Sequence, residues 1–242
     1  MFSVINSEWY KLRKSKVLFL LLVAPLIGLF IGLANSSIEI EEINAWHEKL
    51  VMMNFTYAIL FLPLISGVLA SVICKYEHQE GGWKQLMALP VTRGKVFLSK
   101  YLLLILLMLA MQLMYLVSIY LVGVIEGITD PFPMDIVWKS IFGGWVATLP
   151  LIALQLWVSI AFKSFAAPFA INVIFTLPTI LVINSERFGP YYPWGQPFLM
   201  MNIGGSTEDV FFVPWDQILT VVGSSFLIFF IGGYLYFQKK AI

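Results

Sequence analysis

Six stretches of the chain carry no charged residue and are dominated by apolar side chains: Val17–Ala34, Asn54–Cys74, Tyr101–Ile125, Ser140–Phe162, Ser164–Ser185 and Gln217–Gln238. Their lengths run from 18 to 25 residues. A helix rises about 1.5 Å per residue, so ~20 apolar residues cross a hydrocarbon core of roughly 30 Å. Backbone N–H and C=O groups inside that core must bond internally, which selects helices. The pattern predicts an all-α integral membrane protein with six transmembrane helices, forming one transmembrane domain over residues 1–242. The first stretch is too long for a cleavable signal, and Ala34-Asn35-Ser36-Ser37 is a weak cleavage-like sequence.

The segments between these stretches are patterned too. Phe2, Ile5, Trp9 and Leu12 recur at helical spacing, while Glu8, Lys11 and Lys14 fall on other faces. This predicts an N-terminal amphipathic helix lying in the membrane interface, in contact with lipid. The Ile38–Met53 segment, with Glu39, Glu41, Glu42 and Glu48 among Ile38, Ile40, Ile43, Trp46 and Leu50, predicts a short surface helix. Between Lys75 and Lys100, Trp83, Leu86, Met87 and Pro90 follow helical spacing. Gly81-Gly82 breaks the preceding helix, and Pro90 ends the short one. Such a helix has no core of its own, so it either rests on lipid or docks in a partner's groove. The Glu186–Asp216 segment holds four prolines and eight aromatic residues. It predicts a rigid cap, re-entrant in part, or an ordinary interfacial aromatic belt.

Charge orients the chain. With the N-terminus in the cytoplasm, 12 of the 15 Lys and Arg lie on that side, leaving only Lys49, Lys139 and Arg187 opposite. The positive-inside rule then predicts a multi-pass protein of the cell membrane with both termini cytoplasmic. Composition agrees: 60% of residues are hydrophobic and 12% charged, against about 45–50% and about 25% in soluble domains. That balance excludes a soluble enzyme, a disordered chain and a nucleic-acid binder, so no nucleic-acid partner is expected.

Chemistry-bearing patterns are sparse. Glu41-Glu42 invites comparison with the paired glutamates of intramembrane proteases, yet no histidine lies in any apolar stretch. Cys74 is the sole cysteine, which excludes an internal disulfide or thiolate metal site. No G-x-x-x-x-G-K-[ST] phosphate loop occurs. No catalytic residue, cofactor site or metal site is expected. Charges inside spans mark ion pathways and proton relays, and their absence argues against an ion-driven carrier. Gln112, Gln155 and Asn172 are the polar exceptions and read as helix–helix hydrogen bonds. Met108, Met111, Met114 and Tyr115 suit either a flexible apolar guest or core packing.

Taken together, Glu77, Gly81 or Gly82, Leu86, Pro90, Arg93 and Lys100 resemble the first cytoplasmic loop of membrane subunits of type-2 ABC exporters. Glu8-Trp9-Tyr10-Lys11-Leu12 resembles the amphipathic helix that leads into the first span of the same family. The layout is similar to permeases of lantibiotic or other antimicrobial-peptide immunity and export. The resemblance implies a permease without ATP chemistry, served by a separate cytoplasmic ABC ATPase that holds ATP and Mg. It also implies a second permease chain, identical or paralogous, and a hydrophobic or amphipathic peptide substrate. The short helix becomes the coupling helix on the ATPase, with Glu77, Gly82, Trp83, Leu86, Met87, Pro90 and Arg93 as the coupling residues. An ion or drug efflux permease, or a non-transporting membrane scaffold, is the alternative.

Overall fold

The structure is a computed structural model and describes residues 2–35, 44–79, 81–202 and 214–240. Helix α1 (Phe2–Lys14) is followed by α2 (Lys16–Ala34), which opens in a 3-10 turn over Lys16–Phe19. Then come α3 (Ala45–His78), the short α4 (Gly82–Ala88), α5 (Arg93–Glu126) and α6 (Met134–Ala161). Helices α7 (Ala166–Ile183), α8 (Gln196–Met201) and α9 (Trp215–Lys239) complete the chain. Among the described residues there is no strand. Among the described residues six helices, α2, α3, α5, α6, α7 and α9, are long and apolar enough to cross a membrane. They run alternately up and down. One end of the bundle, the near end, carries α1, α4 and the last turn of α9; the far end carries the start of α3 and α8.

The largest departure from the sequence expectation is at the start of α3. The segment before Asn54 is not a separate surface helix: α3 begins at Ala45 and runs on without a break. Its charge, Lys49, is buried, and Nζ meets Glu126 at 2.7 Å, the Gly32 carbonyl at 2.9 Å and the Asn35 carbonyl. Lys49 thereby caps the C-terminal carbonyls of α2, a favourable place for a cation. Trp46 lies where only Gly123 of α5 leaves room for its ring, and its Nε1 donates to the Asp130 carbonyl at 2.9 Å. Residues 36–43, including Glu39, Glu41 and Glu42, lie outside the described residues.

Within α3 a π-helical turn spans Tyr57–Phe61. Pro63 follows it, and a proline cannot donate to the carbonyl four residues back and crowds it. The wider turn absorbs that conflict. Nearby, Asn172 of α7 donates to the Pro63 carbonyl at 2.8 Å and accepts from Gln155 at 2.7 Å and from Trp194 Nε1 at 2.8 Å. Gln155 and Asn172 are thus helix–helix hydrogen bonds. Asn172 fits because residue 67 is glycine: any Cβ there would collide with its amide. Gly67→Ala is therefore expected to expel Asn172 and leave Gln155 and Trp194 without their acceptor, at about 1–3 kcal/mol per unpaired group. Thermal stability in detergent checks this, with Gly223→Ala as the neutral control because its surroundings are open.

The proline-rich segment after α7 folds back into the bundle. All six residues of α8 are buried, and Gly143 and Gly144 of α6 open the space it occupies. The Met201 carbonyl accepts from Asn54 at 3.2 Å, about two and a half turns inside α3 at 3.6 residues per turn. Asn54 also accepts from Tyr115 at 3.0 Å, and Tyr57 donates to Gln112 at 3.1 Å. The Tyr57 and Tyr115 rings stack at 3.6 Å. Met108, Met111 and Tyr115 are buried in this core, so packing accounts for them.

Candidate functional site

At the near end, four charged side chains from three helices close a ring. Lys100 Nζ on α5 meets Glu8 Oε2 at 2.7 Å and Glu77 Oε1 at 3.0 Å. Lys11 Nζ meets Glu77 Oε1 at 2.6 Å and Glu8 Oε1 at 2.9 Å. Lys100 is wholly buried and also donates to the Ile73 carbonyl at 2.9 Å. Two acids and two bases leave no net charge, and each charge has two opposite neighbours. A buried charge requires such pairing, because desolvation alone costs several kcal/mol per ion. Glu77 Oε2 is buried without a hydrogen-bond partner.

The ring explains how α1 sits. Of the stripe of Phe2, Ile5, Trp9 and Leu12, expected to face lipid, only part lies on the outside of the bundle. Leu12 is buried, Ile5 half-buried and Trp9 39% exposed; the Phe2 side chain lies outside the described residues. The buried positions are Val4, Glu8 and Leu12, four residues apart. Glu8 does not face away from the bundle as the pattern suggested, because turning inward gives it Lys100. Ser15 is extended and its hydroxyl caps the Val17 N–H at 3.4 Å, which breaks α1 from α2.

Helix α4 stands against this ring. Gly81 has φ +73°, the left-handed region that favours glycine. Gly82 has a different reason: a Cβ there would meet the Tyr76 carbonyl at 2.7 Å and Glu77 Cα at 2.9 Å. The turn thus presses on the end of α3 at Glu77. Leu89 is extended before Pro90, and the helix stops at Ala88. Thr92 then caps α5 through the Lys95 N–H at 3.3 Å.

The side chains of α4 divide otherwise than the stripe implied. Trp83 is buried: its Nε1 donates to His78 Nδ1 at 3.2 Å, its ring lies 5.1 Å from Phe237, and Lys100 and Lys240 stand over it at 5.8 and 6.0 Å. Leu86 and Met87 are half-buried against the bundle. So α4 does have a core to pack on, and it is the permease's own. The outward face holds Lys84, Gln85, Ala88, Leu89 and Pro90, with Leu89 56% exposed. Arg93 does not join Glu77. Its Nη1 donates to the carbonyls of Gln238 and Lys240 at 2.8 Å each, closing the C-terminus of α9. Lys240 likewise caps α6 through the Ile160 carbonyl. Burial, joined by the Lys163 charge, pulls the Lys240 amine below the ordinary lysine range.

Of the residues singled out from sequence, Glu77, Gly82 and Trp83 come together, Leu86, Met87 and Pro90 flank them, and Arg93 tethers α9. Glu8, Lys11 and Lys100 complete the cluster. Their signal was the single acid at position 8 between Val4 and Leu12, on one helical face. Among the described residues no group of acids, histidines or cysteines has the arrangement of a metal site.

Residues 4–179 match the sequence profile described as ABC-2 family transporter protein. The chain is also 25% identical over 148 residues to the bacitracin transport permease protein BCRB of Bacillus licheniformis, covering 60% of this chain and 70% of that one.

Proposed function

Because this chain belongs to the ABC-2 family of transporter proteins, and so is a transporter membrane subunit whose ATPase is a separate protein, we propose that it exports a hydrophobic or amphipathic peptide and that α4 is its coupling element. The observation that carries the coupling role is the brace around α4. Trp83 and Gly82 bind it to the ring of Glu8, Lys11, Glu77 and Lys100, while Lys84, Gln85, Leu89 and Pro90 stay free to meet a partner. Displacement of α4 by the ATPase would reach α1, α3 and α5 together, since each supplies a ring member. On this reading the near end is cytoplasmic, as the distribution of Lys and Arg supports. A second permease chain completes the translocation route.

The similarity to a bacitracin transport permease supports a peptide cargo, and bacitracin belongs in the test panel. Deleting the gene is expected to sensitise the host to at least one membrane-active peptide. An unchanged response across the panel, with altered sodium tolerance, would favour an ion exporter instead. Orientation has its own measurement. Lys84→Cys in a Cys74→Ser background is expected to react with an impermeant thiol reagent only after the cells are opened. Labelling in intact cells would reverse the topology.

A further inference from the structure

Helix α1 is held to α5 through Glu8 and Lys100 but leaves one flank open. Between it and α5 runs a groove of about 730 Å³, lined by Ile5 and Trp9 on α1, Leu21 at the head of α2, and Leu106 and Ala110 on α5. That volume lies within the range of small-molecule sites, roughly 300–1,000 Å³. The α5 wall extends from Leu103 to Ala110, about 10 Å of helix at 1.5 Å per residue. The groove therefore descends from the interface, where an amphipathic helix lies, into the acyl region of the bilayer.

We propose that this groove holds an acyl chain of an anionic phospholipid, with the headgroup at Arg13 and Lys16. The α2 and α5 walls present only leucine and alanine side chains. The polar lining residues, Ser3 and Asn6, are confined to α1 at the interfacial side. An acyl chain requires no hydrogen-bond partner in such a slot, whereas a peptide backbone requires one at every residue. The charges that follow the α1 wall along the chain favour an anion. Arg13 lies one turn beyond Trp9 on the same face of α1, and Lys16 follows it; both are exposed, and neither forms an ion pair among the described residues. Glu8, the acid of this helix, is buried in the ring and neutralised by Lys11 and Lys100. The inference does not depend on the cargo or on which leaflet faces the near end.

The test uses the permease with its ATPase, reconstituted in vesicles of phosphatidylcholine and phosphatidylglycerol. A trace of phosphatidylglycerol carrying a diazirine in its acyl chain serves as the probe. After irradiation, adducts are expected to concentrate on α1 and on Leu103–Ala110. Leu106→Trp, at a position more than half exposed and so tolerant of bulk, is expected to reduce those adducts several-fold without changing labelling of α9. Ala110→Phe fills the same space independently. Arg13→Gln and Lys16→Gln are each expected to weaken groove labelling by the anionic probe about fivefold, and to leave that by a phosphatidylcholine probe unchanged. Adducts spread evenly over the exposed faces of α2, α7 and α9, or groove labelling indifferent to both filling variants, would overturn the site. Equal groove labelling by the two probes in the native protein would overturn the anionic headgroup.

Discussion

Leu89→Asp is expected to separate the permease from its ATPase while leaving the permease folded. Leu89 is the most exposed apolar side chain at the tip of α4, and the packed face of that helix, led by Trp83, is left untouched. An aspartate there costs the monomer little packing, because more than half of Leu89 is exposed. In an ATPase groove the same change buries a charge with no counter-ion, a penalty of several kcal/mol. Each 1.4 kcal/mol is tenfold in affinity, so a loss of roughly one to three orders of magnitude follows. Pull-down of the ATPase measures it, and normal yield and size-exclusion behaviour show that the fold survives. Trp83→Ala is the contrasting variant. It removes a buried ring, which costs about 3–5 kcal/mol in cores, and so is expected to lose stability first and partner second. If Leu89→Asp keeps native pull-down and native ATP hydrolysis, α4 is not the coupling element.

Lys100→Met carries the other large effect. The substitution keeps the apolar stem but leaves Glu8 and Glu77 facing Lys11 alone, so one negative charge stays buried without a mate. Removing one partner of a buried pair costs about 3–5 kcal/mol. Neutralising Glu8 and Lys100 together leaves the Lys11–Glu77 pair of 2.6 Å intact, and is expected to recover much of the loss. The thermal midpoint in detergent and protease access to α1 report both quantities. A single variant as stable as the native protein would mean that the ring does not hold α1 in place.

The contrast between these sites explains what the amino-acid order revealed. The six spans were readable because lipid admits so few charges that their absence alone marks a crossing. The start of α3 was not. Lys49 and the glutamates before it marked the residues up to Met53 as a surface segment, although Glu126 and two carbonyls pair with Lys49 from elsewhere in the fold. Position 8 misled in the same way: a glutamate on a helical stripe reads as solvent-facing unless its counter-ion is known, and Lys100 lies 92 residues away. The bounds of α4 were legible because Gly81 and Pro90 act through their own backbone. The direction of Trp83 was not, because a seven-residue helix makes barely two turns and the ring's partner, Phe237, comes from the last helix.

The π turn at Tyr57–Phe61 has a consequence for descent as well as for shape. A wide turn holds one residue more than the regular helix around it. Deleting a residue there, together with replacement of Pro63, lets the turn relax to α geometry, with Asn54 above and Glu77 below keeping their faces. The same deletion elsewhere in α3 would swing every later side chain by about 100° and carry Glu77 away from Lys11 and Lys100. Tyr57–Phe61 is therefore where this span can gain or lose length over evolutionary time, and one-residue gaps among its relatives are expected to collect there.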